Sequence, residues 1–437
     1  MLDIKLIREN PDRVKLGVKS KGISPKLVDD FLALDEKWRK LTQESENLRA
    51  EQKKAGEAKD VAKAKKLKEK ISGLNEDLEK TGHKRDILLL EFPNLPFEDV
   101  PVGKDESSNK VLREVGDKPD LKNPSDYSTL AEKLDLIDTE KAGAISGSRF
   151  GYLKNEAVLL EFALIDLAMK TLVKEGFSPI LPPVLVKPEI MKAMGKQKFI
   201  AEKDAYYLPE DNLYLVGSSE HSIGPYHMSE TLSEADLPKR YVGFSTCFRR
   251  EAGSYGKDTK GFLRVHQFDK VEMVVFSKPE DSEKEHQKML ALQEKLMQTL
   301  ELPYRVVEIC SGDMTFADAR QFDIEAWFPS QGEYRETHSC SNTTDYQARG
   351  LNTRYKSLTP SAKGGSSFGG NTSSVRPQLQ AKAENLKPDF VHILNGTVFS
   401  GRPILAIIEN FQTPDGKIKI PKILQDYVGK KEIGFKN

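Results

Sequence analysis

Apolar residues recur along the first part of the chain with the rhythm of packed helices. Leu27, Phe31, Leu34, Trp38, Leu41, Ser45, Leu48, Gln52 and Ala55 are spaced alternately four and three residues apart, and Leu67, Ile71, Leu74, Leu78, Thr81, Arg85 and Leu88 repeat the pattern. Such spacing puts one seam on each helix, facing a single partner. Gly56 and a short polar stretch separate the two segments, so an antiparallel coiled-coil hairpin is expected over residues 27–92, stopped by the PNLP that follows Phe92. Further on the pattern changes to strand: Tyr241 to Phe248 is aromatic and small apolar, and Val271 to Phe276 is β-branched and aromatic. The loop between them suggests a long hairpin. Ile404, Leu405, Ile407, Ile408 and Phe411 return to helical spacing, with Ser400 as a candidate N-cap and Pro403 in the first turn.

Charge falls in places where these elements tolerate little of it. Glu272 lies inside an apolar strand, where an ionised group is costly without a partner, so a ligand is expected there. Arg249, Arg250, Lys257, Lys260 and Arg264 surround a loop opened by Gly253, Gly256 and Gly261, an arrangement suited to a phosphate-bearing substrate. Taken alone, the segment reads equally as a solvated surface hairpin with a buried structural ion pair. Lys270 and Arg264 suit either phosphate contacts or pairing with the acidic residues. Arg402 opens the C-terminal helix, where its charge adds to the positive end of the dipole; an anion in front of it, or a nearby carboxylate, would explain the placement. Glu336, Thr337, His338 and Ser339 gather oxygen donors suited to magnesium bound with phosphates.

In order, these segments closely resemble the seryl-tRNA synthetases, a class II aminoacyl-tRNA synthetase family. The family's second motif, FR-EAGS-G-DT-G-R-HQF-KVE, is present between Phe248 and Glu272; GFSPILPPVLV (Gly176 to Val186) resembles the first motif, and SCSNTTDYQAR and SGRPILAIIENFQ complete the set. The resemblance implies an α+β fold, with an N-terminal antiparallel coiled-coil arm followed by a catalytic domain built on a mostly antiparallel sheet flanked by helices. It implies activation of L-serine by ATP to seryl-adenylate and pyrophosphate. The seryl group then passes to the terminal adenosine of serine tRNA, with selenocysteine tRNA left open as a second acceptor.

By the same likeness Arg249 holds the α-phosphate and Arg402 the γ-phosphate, Glu251 faces the adenine and Phe268 stacks on it. Arg250, Val265, Thr337 and His338 complete the ATP site, while Glu336 and Ser339 hold Mg2+. The serine pocket is implied to contain Ser218, Ser219 and Glu220, where the family has Thr-x-Glu, together with Arg249, Glu272 and Asn395. Thr397 takes the place of the family's serine-binding Ser in NGTVFSGR, a loop one residue shorter than the usual NGSGLAVGR. A homodimer with the first motif at its interface is also implied.

Composition adds bounds. The 437 residues carry 67 basic and 67 acidic side chains, so any argument for nucleic acid must be local. Such a local excess exists: Arg49 to Lys70 holds nine Lys/Arg against four Asp/Glu, and Lys63, Lys65, Lys66 and Lys68 make the distal arm the expected tRNA contact, although basic helix faces are often only solvated. Cys247, Cys310 and Cys340 form no disulfide or zinc pattern, and the spacing of His221, His227, His266 and His338 suggests packing or hydrogen bonding. Without an apolar leader or a long apolar run, a cytoplasmic protein with no membrane segment is expected. The domains are read as an arm over 1–105, a Pro- and Asp-rich linker over 106–125 and a catalytic domain over 126–437, with Ser357 to Gly370 as a flexible loop near the site.

Overall fold

The computed structural model describes residues 1–252, 261–356 and 388–435. Gly253, Gly256, Lys257, Lys260 and the Ser357 to Gly370 stretch lie outside them. The chain divides into two compact units between Leu95 and Pro96. The first begins with short helices Ile4–Glu9 and Pro11–Ser20 and continues into α1 (Lys26–Glu57) and α2 (Val61–Leu90). Every expected seam position is buried or partly buried, so the four-three spacing does select the facing surfaces. Gly56 stays helical. The reversal falls on Ala58 to Asp60, where Lys59 takes φ 58° and the Asp60 carboxylate accepts from the Lys63 N–H at 3.0 Å. Lys63, Lys65, Lys66 and Lys68 are exposed on the first turns of α2.

One feature of this unit escaped the heptad reading. Asp35, with no side-chain exposure, accepts bidentate bonds from Arg8 at 2.8 and 2.7 Å, with Arg39 at 3.2 Å and Arg85 at 3.8 Å. Burial opposes ionisation of this carboxyl, but the Arg8 hydrogen bonds and three guanidinium charges hold it below the usual carboxylate range. Arg85 also lies 4.0 Å from the Trp38 ring, which fixes the register of the hairpin near its base.

The second unit is built on an eight-stranded sheet. Its strands are β1 (Lys110–Val115), β2 (Ser178–Ile180), β3 (Lys239–Phe248), β4 (Gln267–Ser277), β5 (Tyr304–Glu308), β6 (Arg320–Phe328), β7 (Glu333–Asn342) and β8 (His392–Ser400). They are ordered β1-β5-β6-β7-β8-β4-β3-β2, and only β2 and β3 run parallel. The expected hairpin is β3 and β4, paired from Gln267 opposite Phe248 to Phe276 opposite Lys239. The segment expected as a linker contributes edge strand β1, paired with β5, and the Phe97 N–H donates to the Ala319 carbonyl at 3.0 Å. Those bonds tie the chain to the second unit from residue 97 onward.

Alternation along β4 sends Val271, Met273 and Val275 to one face, where they pack with helices α3 (Glu156–Lys174), α4 (Ser282–Thr299) and α5 (Arg402–Asn410) through Leu160, Met289 and Leu405. The opposite face receives Lys270 and Glu272. Gly401, not Ser400, precedes α5, because Ser400 remains the last residue of β8 and pairs with Lys270.

Candidate active site

A row of polar side chains crosses the sheet on the face away from the helices. Asp323 lies opposite Ser339, Thr397 opposite Glu272, and Glu272 opposite Gly243. The Ser339 and Thr397 hydroxyls close the gap between β7 and β8 at 3.4 Å. An extra residue, Val398, makes a bulge between Val271 and Glu272, which brings Thr397 opposite Glu272 despite the shortened loop. Beneath the row, fully buried Gln293 of α4 donates from Nε2 to the Ser339 carbonyl at 2.9 Å and the Thr397 carbonyl at 2.6 Å. Sequence reasoning missed Gln293. A polar residue among the core-facing Met289, Leu290, Leu296 and Met297 is the signal that could have found it.

Glu272 is 1% exposed, and its partner in the structure is internal. Its Oε2 is ion-paired with Lys270 and accepts from the Ser218 hydroxyl at 3.0 Å. Lys270 therefore serves as a pair partner, and so does Arg264, which meets Glu251 at 2.7 Å. Arg249 donates from Nε to the Gly217 carbonyl at 3.1 Å and its guanidinium lies 5.4 Å from the Phe268 ring. Its backbone is fastened to His266, whose carbonyl accepts from the Arg249 N–H at 2.9 Å. Arg250 stands 5.1 Å from the Tyr206 ring, and Val265 is buried.

Ser219 and Glu220 begin a short helix, Glu220–Ile223. Glu220 is buried between Lys196, at 3.0 Å, and the Gln347 amide, which donates at 2.8 Å. Burial works against its charge, yet Lys196, then His221 and Gln347, bring it down to about 2. Burial first, then the Lys196 charge, lowers His221 to about 3, and its Nδ1 accepts from the Gly217 N–H at 3.3 Å. Asn395, opposite Ser341 and Val274, is buried on the row's side of β8.

At the other end of the row Arg402 donates from Nη1 to the Glu336 carbonyl at 2.8 Å and lies 3.0 Å from its carboxylate. Burial in the cleft favours the neutral acid, but Arg402 above all, then Arg249 and Lys270, hold Glu336 below its ordinary value, while its side chain keeps 49% exposure. Asp323 responds in the opposite direction, pushed well up by burial and then by the Glu336 charge. Thr337 and His338, expected beside ATP, are buried at 3% and 1%. The Thr337 hydroxyl donates to the Ile324 carbonyl at 3.1 Å, and His338, lowered to about 4 by burial, packs against Phe399. Strand alternation explains His338, which faces the core because Ser339 faces the row, whereas Thr337 is the extra residue of a bulge opposite Ile324 and Glu325.

Among the described residues no group of three or more His, Cys, Asp or Glu side chains is arranged to hold a metal. Glu336 and Ser339 supply hard oxygen donors at an open rim, a set that fits magnesium with water and phosphate oxygens completing its shell.

Residues 1–96 match the seryl-tRNA synthetase N-terminal domain, and residues 205–363 match the tRNA synthetase class II core domain (G, H, P, S and T). A serine–tRNA ligase of Dictyoglomus turgidum is 41% identical over 99% of both chains. The chain belongs to the seryl-tRNA synthetase family. Two seryl-tRNA synthetase structures share its fold over the full chain. That of Pyrococcus horikoshii, complexed with ATP, has a TM-score of 0.90 and 38% identity and covers 100% of each chain. The cytoplasmic serine–tRNA ligase of Naegleria fowleri, in complex with AMP, has a TM-score of 0.86 and 33% identity, covering 100% of this chain and 99% of that one. The α+β architecture and the ligase class of the family thus agree with the helical arm and antiparallel sheet described above.

Proposed function

We propose that the polar row is the serine end of an adenylation site and that Arg249 and Arg402 grip the phosphates of ATP beside it. The observation that carries this reading is Glu272: a carboxylate at 1% exposure in the middle of a sheet, with Ser218 and Thr397 beside it. A site built to accept from a hydroxyl rejects an analogue lacking one far better than an apolar pocket does. In the first step the serine carboxylate, ionised at neutral pH, attacks the α-phosphorus and pyrophosphate leaves, so no general base is required. Arg249 stabilises charge gathering on the α-phosphate, and Arg402 draws on the γ-phosphate from the first turn of α5. Phe268 and Glu251 hold the adenine. Glu336 and Ser339 would hold Mg2+, which when bound neutralises phosphate charge.

In the second step a ribose hydroxyl of the terminal tRNA adenosine attacks the seryl carbonyl, and AMP leaves. The exposed Lys63, Lys65, Lys66 and Lys68 would meet tRNA phosphates. A homodimer is supported by exposed apolar side chains on α3 and after β2, namely Leu159, Phe162 and Leu181 at 40%, 52% and 76%. Cytoplasmic residence agrees with three free, buried cysteines, and no described helix is long and apolar enough to cross a membrane. The direct test is charging of serine tRNA with labelled serine in the presence of ATP. Serine-specific, ATP-dependent esterification is expected; charging with a different amino acid overturns the assignment.

A further inference from the structure

Ser218 has no hydrogen-bonding capacity left for a ligand. A hydroxyl has one proton to give and two lone pairs. Ser218 gives its proton to Glu272 Oε2 at 3.0 Å and accepts from the Glu220 N–H at 3.2 Å and the Lys270 ammonium at 3.3 Å. Lys270, 8% exposed, is ion-paired with the same Glu272 oxygen. Both internal bonds thus fall on Oε2, and Oε1 accepts no hydrogen bond among the described residues. Lys270 and Glu272 stand two apart on one strand, so their side chains share the face of the polar row, while Ser218 comes from the turn before the Glu220–Ile223 helix.

We propose that Lys270 and Ser218 are positioning residues that aim Glu272 Oε1 at the substrate side chain, and that Lys270 makes the pocket selective for a neutral hydroxyl over an ammonium group of the same size. The proposal rests on the reading of Glu272 as the serine acceptor. Its physical content is charge balance. Paired with Lys270, Glu272 is a strong acceptor whose own charge is already balanced, so a second ammonium would bring an uncompensated positive charge out of water. Without Lys270 the carboxylate would be buried with its charge unbalanced, and a cationic side chain would become the better partner. Ser218 locks the carboxylate plane and makes no bond of its own to the ligand.

The test is pyrophosphate exchange by the full chain with L-serine and with L-2,3-diaminopropionate, which has an ammonium in place of the hydroxyl. The parent, Lys270→Met, Lys270→Arg and Ser218→Ala are compared. Lys270→Met is expected to raise the KM for serine about 10- to 100-fold, the value of a charge-assisted hydrogen bond. The KM for ATP should stay within about twofold, and the preference for serine over diaminopropionate should fall by roughly tenfold or more. Lys270→Arg keeps the charge and should restore the preference in large part. Ser218→Ala should raise the KM for serine while retaining the preference.

An unchanged preference in Lys270→Met, or equal loss of serine and ATP use, overturns the proposal. If Lys270→Met does not fold, the Arg and Ala variants decide: a preference lost in Lys270→Arg or in Ser218→Ala contradicts the division of roles. Failure of the underlying reading is seen separately, as a parent enzyme that gives no serine-dependent exchange.

Discussion

Arg402 is held to Glu336 twice through one nitrogen, by the backbone carbonyl at 2.8 Å and the carboxylate at 3.0 Å. The carbonyl bond comes from strand β7 and does not depend on the carboxylate, so it would keep the guanidinium at the rim even with the carboxylate otherwise engaged. Arg402→Lys retains the charge but loses the planar fork, and should lower pyrophosphate exchange about tenfold or more with a raised KM for ATP. Glu336→Ala should raise the magnesium concentration needed for half-maximal exchange, read from a metal titration of the rate.

Glu161 on α3 is 9% exposed, and its Oε2 lacks a hydrogen-bond partner among the described residues. Burial, and after it the Asp269 charge, raise its carboxyl from 4.5 to about 8. The folded state therefore keeps a proton that the unfolded chain gives up near 4.5, so this group's contribution is fully present below that pH and is lost as pH rises to about 8. Glu161→Gln should flatten the fall in Tm between those limits and melt at least about 2 °C above the parent at pH 8. Thermal melts at pH 5 and pH 8 check this.

Gln293 joins the two strands that present Ser339 and Thr397. Gln293→Leu leaves both carbonyls without their donor and should cost about 2 to 4 kcal/mol of stability, measured by denaturant unfolding. It should also raise the KM for serine, because the Ser339 and Thr397 hydroxyls lose their common support. Gln293→Glu should be worse still, since it brings a carboxylate toward two acceptors.

Much of this was legible in local pattern. The seam from Leu27 to Ala55 and its partner from Leu67 to Leu88 reads directly as two facing helices, because helical spacing is a local property. The β3–β4 hairpin and the helix opened by Arg402 are legible for the same reason. The pairing of Lys270 with Glu272 was one of two readings and stayed undecided: a strand's side chains share a face at that spacing, but which neighbour bends toward which depends on packing. Lys196 against Glu220, and Gln293 under the row, depend on packing between elements distant in sequence. The burial of Thr337 and His338 was not legible either, because register and the bulge at Thr337 determine which neighbouring residues face the site. Strand β1 was hidden by its Lys- and Arg-containing sequence, typical of an exposed edge.

Lys63, Lys65, Lys66 and Lys68 stand exposed at the start of α2, around the single buried Leu67. Replacing the four lysines by Ala should weaken tRNA binding and lower the slope of log affinity against log salt by roughly 0.7 to 0.9 for each phosphate no longer neutralised. Serine-dependent pyrophosphate exchange should be unaffected. Filter-binding titrations at several salt concentrations measure the slope, and an unchanged slope would return these lysines to a solvated surface.

The central claim is that Glu272 selects serine at the polar row, and the most direct measurement is pyrophosphate exchange with each amino acid in turn, by the parent and by Glu272→Ala. Serine alone should support strong exchange by the parent. Glu272→Ala should lose about 2 to 4 kcal/mol in kcat/KM for serine, with ATP binding little changed. Strong exchange with alanine or threonine by the parent, or full serine use by Glu272→Ala, would contradict the claim.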